Sequence, residues 1–206
     1  MKKFTITFLL ITSFSSHSYA GLGFFSGIDA IHAKANHQAI NSSSTSGPKN
    51  GDIKDSDEIN YGLNVGVRFD LLNLYASGEM FFDQINTRSS NFDSHGASSS
   101  FDVIKIDNRY GAKANVGFAI LPKVTPFITY GLAGVNYENN LYSSNKSVSN
   151  SELSPLYGIG LLIDLPCGFS AKAAYDYQSL NIRYAESGSK IKTSLGVARL
   201  GLIYNF

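Results

Sequence analysis

Three histidines follow residue 20, His32, His37 and His95, and these are the residues able to ligate a metal or act as a general base. None begins a His-x-Ser pair that would set a nucleophile beside its base, and His32 with His37 has no obvious third ligand. They read as solvated or interface side chains, so no catalytic, metal or cofactor site is assigned and the chain is not expected to be an enzyme. The glycines of "GLGFFSG" have the wrong spacing for a dinucleotide loop and suit a crowded, curved strand instead. The single cysteine, Cys167, excludes an internal disulfide framework. In the turn "LPCG" it reads as a turn residue whose thiol is open to oxidation or a mixed disulfide.

The richer chemistry is ionic. Asp29, Arg68, Glu79, Lys105, Asp107, Arg109, Lys113, Asp164, Lys172, Asp176 and Arg199 share the polar parity of alternating segments, six positive against five negative. Charges of both signs held away from bulk water must pair, because an unpaired buried charge is heavily penalised. That set therefore predicts a charge network acting as a plug.

Strands must position it. In "INYGLNVGVRFD", Ile59, Tyr61, Leu63, Val65, Val67 and Phe69 alternate with Asn60, Gly62, Asn64, Gly66, Arg68 and Asp70. Between residues 104 and 120, Ile104, Ile106, Tyr110, Val116, Phe118 and Ile120 oppose Lys105, Asp107, Arg109, Gly111, Lys113, Asn115 and Gly117. Both have the period of two that marks a strand. Less regular strands are predicted at 22–35, 74–85, 127–138, 156–165, 169–178 and 193–206, which makes eight, and no segment keeps a helical period.

The connections alternate in length. "DLLN", "LPKVTP" and "LPCG" are tight turns, whereas the intervening connections are long Ser/Asn-rich segments such as "NHQAINSSSTSGPKNGDIKDSDE". Short turns at one end and long loops at the other are the pattern of outer-membrane barrels. Alternation alone does not separate such a barrel from a soluble sandwich, since lipid and water merely exchange which face is apolar. The aromatics favour lipid: Tyr61 and Phe69 lie eight residues apart, as do Tyr110 and Phe118. At ~3.3 Å per residue and a tilt near ~40° that spans about 20 Å, close to the ~25 Å band between aromatic girdles.

The N-terminus "MKKFTITFLLITSFSSHSYA" has two lysines, a short apolar run and small residues before a cleavage site at Ala20–Gly21. It reads as a secretory signal peptide, residues 1–20, with a barrel domain over 21–206. Because the leader holds Lys2 and Lys3 and no acid, its removal takes the formal charge from +1 to −1. A near-neutral chain lacks the basic surface that nucleic-acid binding needs, so no nucleic-acid partner is expected.

At the other end, "RLGLIYNF" puts a polar residue at Arg199, a glycine at Gly201 and aromatics at Tyr204 and Phe206. This ending resembles the terminal signal by which outer-membrane barrels are recognised by the barrel assembly machinery. From "GLGFFSGIDA" through "VTPFITYGLAGVNYE" to "YNF", the chain resembles the small eight-stranded outer-membrane β-barrels, which include OmpA-like and opacity-type surface proteins. The resemblance implies an all-β, antiparallel, up-and-down transmembrane barrel, with short periplasmic turns, long extracellular loops and both termini periplasmic. It also implies a cell-surface role, with outer-membrane lipid around the wall and host-cell surface proteins, matrix proteins or glycans as the partners of an adhesin. The alternatives are a structural barrel without a specific ligand and a narrow channel. Among the loop charges, 179–192 carries Arg183, Lys190 and Lys192 against Glu186, and these three cations are the expected binding residues for a polyanion.

Overall fold

In a computed structural model, residues 20–39, 54–55, 59–91, 101–141, 146–183 and 190–206 are described. They form β1 (Ala20–Ala39), β2 (Lys54–Asp55), β3 (Ile59–Leu71), β4 (Leu74–Asn91), β5 (Phe101–Phe118), β6 (Val124–Leu141), β7 (Lys146–Asp164), β8 (Phe169–Arg183) and β9 (Lys190–Asn205). Apart from the two-residue β2, which pairs with the far end of β4, each strand is antiparallel to the next around the ring. Pairing of β4 with β5 and of β1 with β9 completes the circle, giving a closed eight-stranded barrel. Every stave thus has hydrogen-bonding partners on both sides over the turn-side part of the barrel; among the described residues at the loop end, 34–39 pair with β9 alone and 146–155 with β6 alone.

One end is closed by tight connections at Leu72–Asn73, at 119–123 and at Pro166–Gly168. Leu72, Lys123 and Cys167 adopt left-handed φ values of 56°, 76° and 63° there. Of the expected leader, residues 1–20, all but Ala20 lie outside the described residues; Ala20 itself opens β1 opposite Leu71, and Gly21 follows opposite Asp70.

At the other end the strands run further than the sequence pattern predicts. Paired structure continues to Asn91 and from Phe101, and β6 and β7 stay paired to Leu141 and Lys146, within segments expected to be loop. The reason is a change in the wall's polarity. Near the turns the exposed outer face carries Leu63, Val65, Val67, Phe69, Val116 and Phe118. Further from the turns, the exposed positions include Asn36, Ser149, Asn150, Ser151, Asn181 and Lys192, while the interior becomes apolar. In β1, β8 and β9 the period of two persists with its sign reversed, while in β7 residues 149–151 are all exposed, as expected where a wall leaves lipid and enters water. Composition alone therefore mistakes these strand ends for loops.

Candidate functional site: a charged layer between two apolar layers

The interior is stratified along the barrel axis. Toward the turns, Phe25, Tyr75, Phe127, Leu162 and Ile203 pack together. Toward the loop end, Ile31, Ala33, Ala35, Ile85, Ile106, Val135, Tyr137, Leu180, Leu195 and Val197 form a larger cluster. Between them lies a charged layer of four cations, Arg109, Lys113, Lys172 and Arg199, and four anions, Asp29, Glu79, Asp83 and Asp176.

The pairs are short and out of solvent. Arg109 Nη2 is 2.6 Å from Asp83 Oδ2, and Lys113 Nζ is 3.0 Å from Glu79 Oε1. Arg199 places Nη1 2.8 Å from Asp29 and Nη2 2.8 Å from Asp176 and 3.0 Å from Asp83. Asp176 also meets Lys113 at 3.1 Å and Arg109 at 3.4 Å, so three cations converge on one carboxylate. Lys172 lies 3.5 Å from Asp29 and 3.6 Å from Glu79. The ring of Phe81 faces Arg109, Lys113 and Arg199, with its centroid 5.1, 5.2 and 5.7 Å from them, a cation–π arrangement. Equal numbers of each sign, interleaved, limit the cost of removing eight charges from water.

Small residues make room for the layer. Asp29 lies opposite Gly62 on β3 and Gly201 on β9, and Asp83 is also opposite Gly62. A Cβ at Gly62 would stand 2.7 Å from Asp83 Oδ1 and 2.7 Å from Ile31 Cδ1, and one at Gly201 would collide with the Asp29 carboxylate.

A second polar group closes the turn end. Asn205 donates to Ser170 Oγ at 2.9 Å, Ser170 donates to Asp164 at 2.7 Å, and Arg68 donates to both Asp164 oxygens at 2.7 and 2.9 Å. Arg68 Nε reaches Asp70 at 2.6 Å, and the guanidinium lies over Tyr75, 5.2 Å from its centroid.

Of the charges read from the sequence, Asp29, Glu79, Arg109, Lys113, Lys172, Asp176 and Arg199 meet in the central layer. Arg68 and Asp164 meet in the turn-end group. Lys105 and Asp107 join neither: they pair with each other at 2.6 Å and keep partial exposure. Register slips between Ile106 and Asn108 and, on the other side, between Gln84 and Thr87. A bulge of this kind reverses the parity beyond it, so Ile106, expected on the outer face, is 1% exposed and belongs to the interior cluster. Asp83, 0% exposed, was missed although it lies four positions from Glu79 on the same face.

Arg183 and Lys190 are Cα partners at the loop ends of β8 and β9, and Lys192 is paired with Asn181 and Gln38. Lys192 is exposed, while the side chains of Arg183 and Lys190 lie outside the described residues. His32 is exposed on β1; the His37 side chain and all of His95 lie outside the described residues, and Cys167 is an exposed free thiol. In the terminal motif Arg199 and Gly201 face the charged layer. Tyr204 packs against Phe169 in a tilted pair and against Phe206 edge-to-face, both at 5.1 Å between centroids.

The profile of the outer membrane protein beta-barrel domain matches residues 6–206. The chain belongs to that family. Membership assigns it to the bacterial outer membrane, which excludes the soluble sandwich. No curated protein sequence matches it.

Solved barrels share its fold. The attachment invasion locus protein Ail of Yersinia pestis superposes with a TM-score of 0.54 at 18% identity, covering 90% of this chain and 97% of that one. AlkL, an outer membrane protein solved in lipid bilayers, gives 0.60 at 14% identity, covering 95% of each chain. OprG of Pseudomonas aeruginosa gives 0.53 at 12%, covering 91% of this chain and 96% of that one.

Proposed function

We propose that this outer-membrane barrel is a surface adhesin that presents basic residues at its loop end to polyanionic host macromolecules. The observation that carries the reading is the register of β8 and β9, which sets Arg183 directly opposite Lys190 with exposed Lys192 two residues along. Two cationic residues at paired positions of a ladder are unfavourable neighbours, and a sulfated glycan or an acidic protein segment would supply the compensating charge. Strand ends also hold such residues more firmly than a long loop would. Support by resemblance comes from Ail, whose name describes attachment and invasion.

On this reading, residues 1–20 are a leader cleaved at Ala20–Gly21, both termini are periplasmic, and the barrel assembly machinery recognises Arg199, Gly201, Tyr204 and Phe206. The second reading, a structural barrel without a ligand, draws on the filled interior, which leaves the wall itself as the useful object. Non-adherent bacteria displaying the chain separate the two. Attachment to host cells that falls when Arg183, Lys190 and Lys192 are changed together to serine, and that is blocked by soluble sulfated polysaccharide, supports the adhesin. No gain of attachment over cells without the protein would favour the structural barrel.

A further inference from the structure

The turn end is apolar where a water-facing turn would be polar. Leu72 is 81% exposed and holds a left-handed φ, a conformation that ordinarily selects glycine or asparagine. Ile120 and Leu121 are exposed in the second turn, and Leu165 in the third. Each is continuous with the exposed apolar wall beside it, through Leu71, Leu74, Phe118 and Ile163. Meanwhile the carboxylates nearest this rim, Asp70 and Asp164, are both bound by Arg68. The rim thus presents leucines and exposed Lys123, with its two neighbouring carboxylates sharing the Arg68 guanidinium.

We infer that this rim is a lipid-docking surface: Leu72, Ile120, Leu121 and Leu165 insert into the headgroup layer of the adjoining phospholipid leaflet, and Lys123 meets its phosphates. The inference rests on the outer-membrane reading and goes beyond it, since a barrel can equally end in turns that stand clear in water. Continuity with the lipid-facing wall selects lipid over a protein partner, and a cation among apolar residues suits an anionic surface. Cys167 shares the rim, between Pro166 and Gly168. Docking would therefore shield by membrane a thiol that the fold itself leaves exposed.

That cysteine is also the natural reporter. The full chain is folded into vesicles of phosphatidylethanolamine and phosphatidylglycerol, and Cys167 is labelled with a polarity-sensitive fluorophore. Heat-dependent gel mobility first establishes that the barrel has formed. The expected result is blue-shifted emission, quenched several-fold more by lipids carrying a nitroxide near the headgroup than by aqueous iodide. Replacing Leu72, Leu121 and Leu165 together by aspartate should reverse that ratio while the gel shift persists. A folded barrel whose label is quenched as strongly by iodide as free dye would overturn the inference, as would a triple variant identical to the parent. Blue-shifted emission that vanishes on dilution with lipid would assign the rim to a second copy and also overturn it. Loss of the gel shift in the parent chain would instead sink the membrane-barrel reading itself.

Discussion

Arg199 of β9 reaches Asp83 of β4 at 3.0 Å across the interior, although β1 and β3 stand between their strands in the wall. The same guanidinium holds Asp29 of β1 and Asp176 of β8, so one side chain ties its own stave to three others. Arg199→Met would leave three buried carboxylates short of a cation. Breaking a buried ion pair in this way costs about 3–5 kcal/mol. Urea unfolding in lipid vesicles should show a loss of that order, with Arg199→Lys recovering only part because an ammonium lacks the fork that addresses several carboxylates at once. An unchanged midpoint would mean that the layer contributes nothing to stability.

A second expectation concerns Gly62. Alanine there meets Asp83 Oδ1 and Ile31 Cδ1, both at 2.7 Å, so Gly62→Ala should destabilise the barrel by about 1–3 kcal/mol through overpacking. Ile31→Val removes the offending methyl and should return part of the loss, although alone it is mildly destabilising. A double-mutant cycle checks this; strictly additive effects would show that the two positions do not share space.

These two residues also mark how much of the molecule was legible beforehand. The apolar and polar alternation of 59–70 survives intact in β3, and seven of the eight residues of the central layer follow from parity alone. The eighth, Asp83, is absent from the sequence reading, although the same rule applied to the less regular strand β4 puts it on the inner face with Glu79. Parity failed at Lys105 and Asp107 because a bulge near Asp107 inserts an extra residue, which alternation cannot reveal without the partner strand. The strand ends beyond the apolar band were hidden for another reason. Their outer face is polar and their inner face apolar, so Ser149 to Ser151 read as loop while Leu195 and Val197 gave no warning that they belong to a cluster above the charges. Arg199 and Gly201 are expected from the sequence as parts of a terminal signal; what the fold shows is the one binding Asp29 and the other leaving room for it.

The layering leads to a prediction about conduction. Charges invite water, but here they lie between apolar clusters on both sides, so the seal should reside in the clusters rather than in the ion pairs. Asp83→Asn should therefore leave planar-bilayer currents at the level of the parent chain. Leu195→Ser with Leu180→Ser, which opens the loop-side cluster to water, should raise the frequency of brief openings. Currents that rise with Asp83→Asn and not with the serine pair would move the seal to the charges.

The last prediction separates packing from assembly at the end of the chain. Phe169 and Phe206 each pack against Tyr204 with centroids 5.1 Å apart, one tilted and one edge-to-face, and they are exposed to similar extents, 38% and 41%. Each ring contact is worth about 0.5–1.5 kcal/mol, so Phe169→Ala and Phe206→Ala should lower the stability of the folded barrel by comparable amounts. If Phe206 is also read by the assembly machinery, the two variants must part in cells: Phe206→Ala should deplete the outer-membrane fraction several-fold while Phe169→Ala leaves it near the parent level. Refolding both into vesicles without any machinery supplies the control, and there they should yield similar amounts of the heat-modifiable form. Equal depletion of both in cells would reduce Phe206 to a packing residue and leave the address reading of the terminal motif without support.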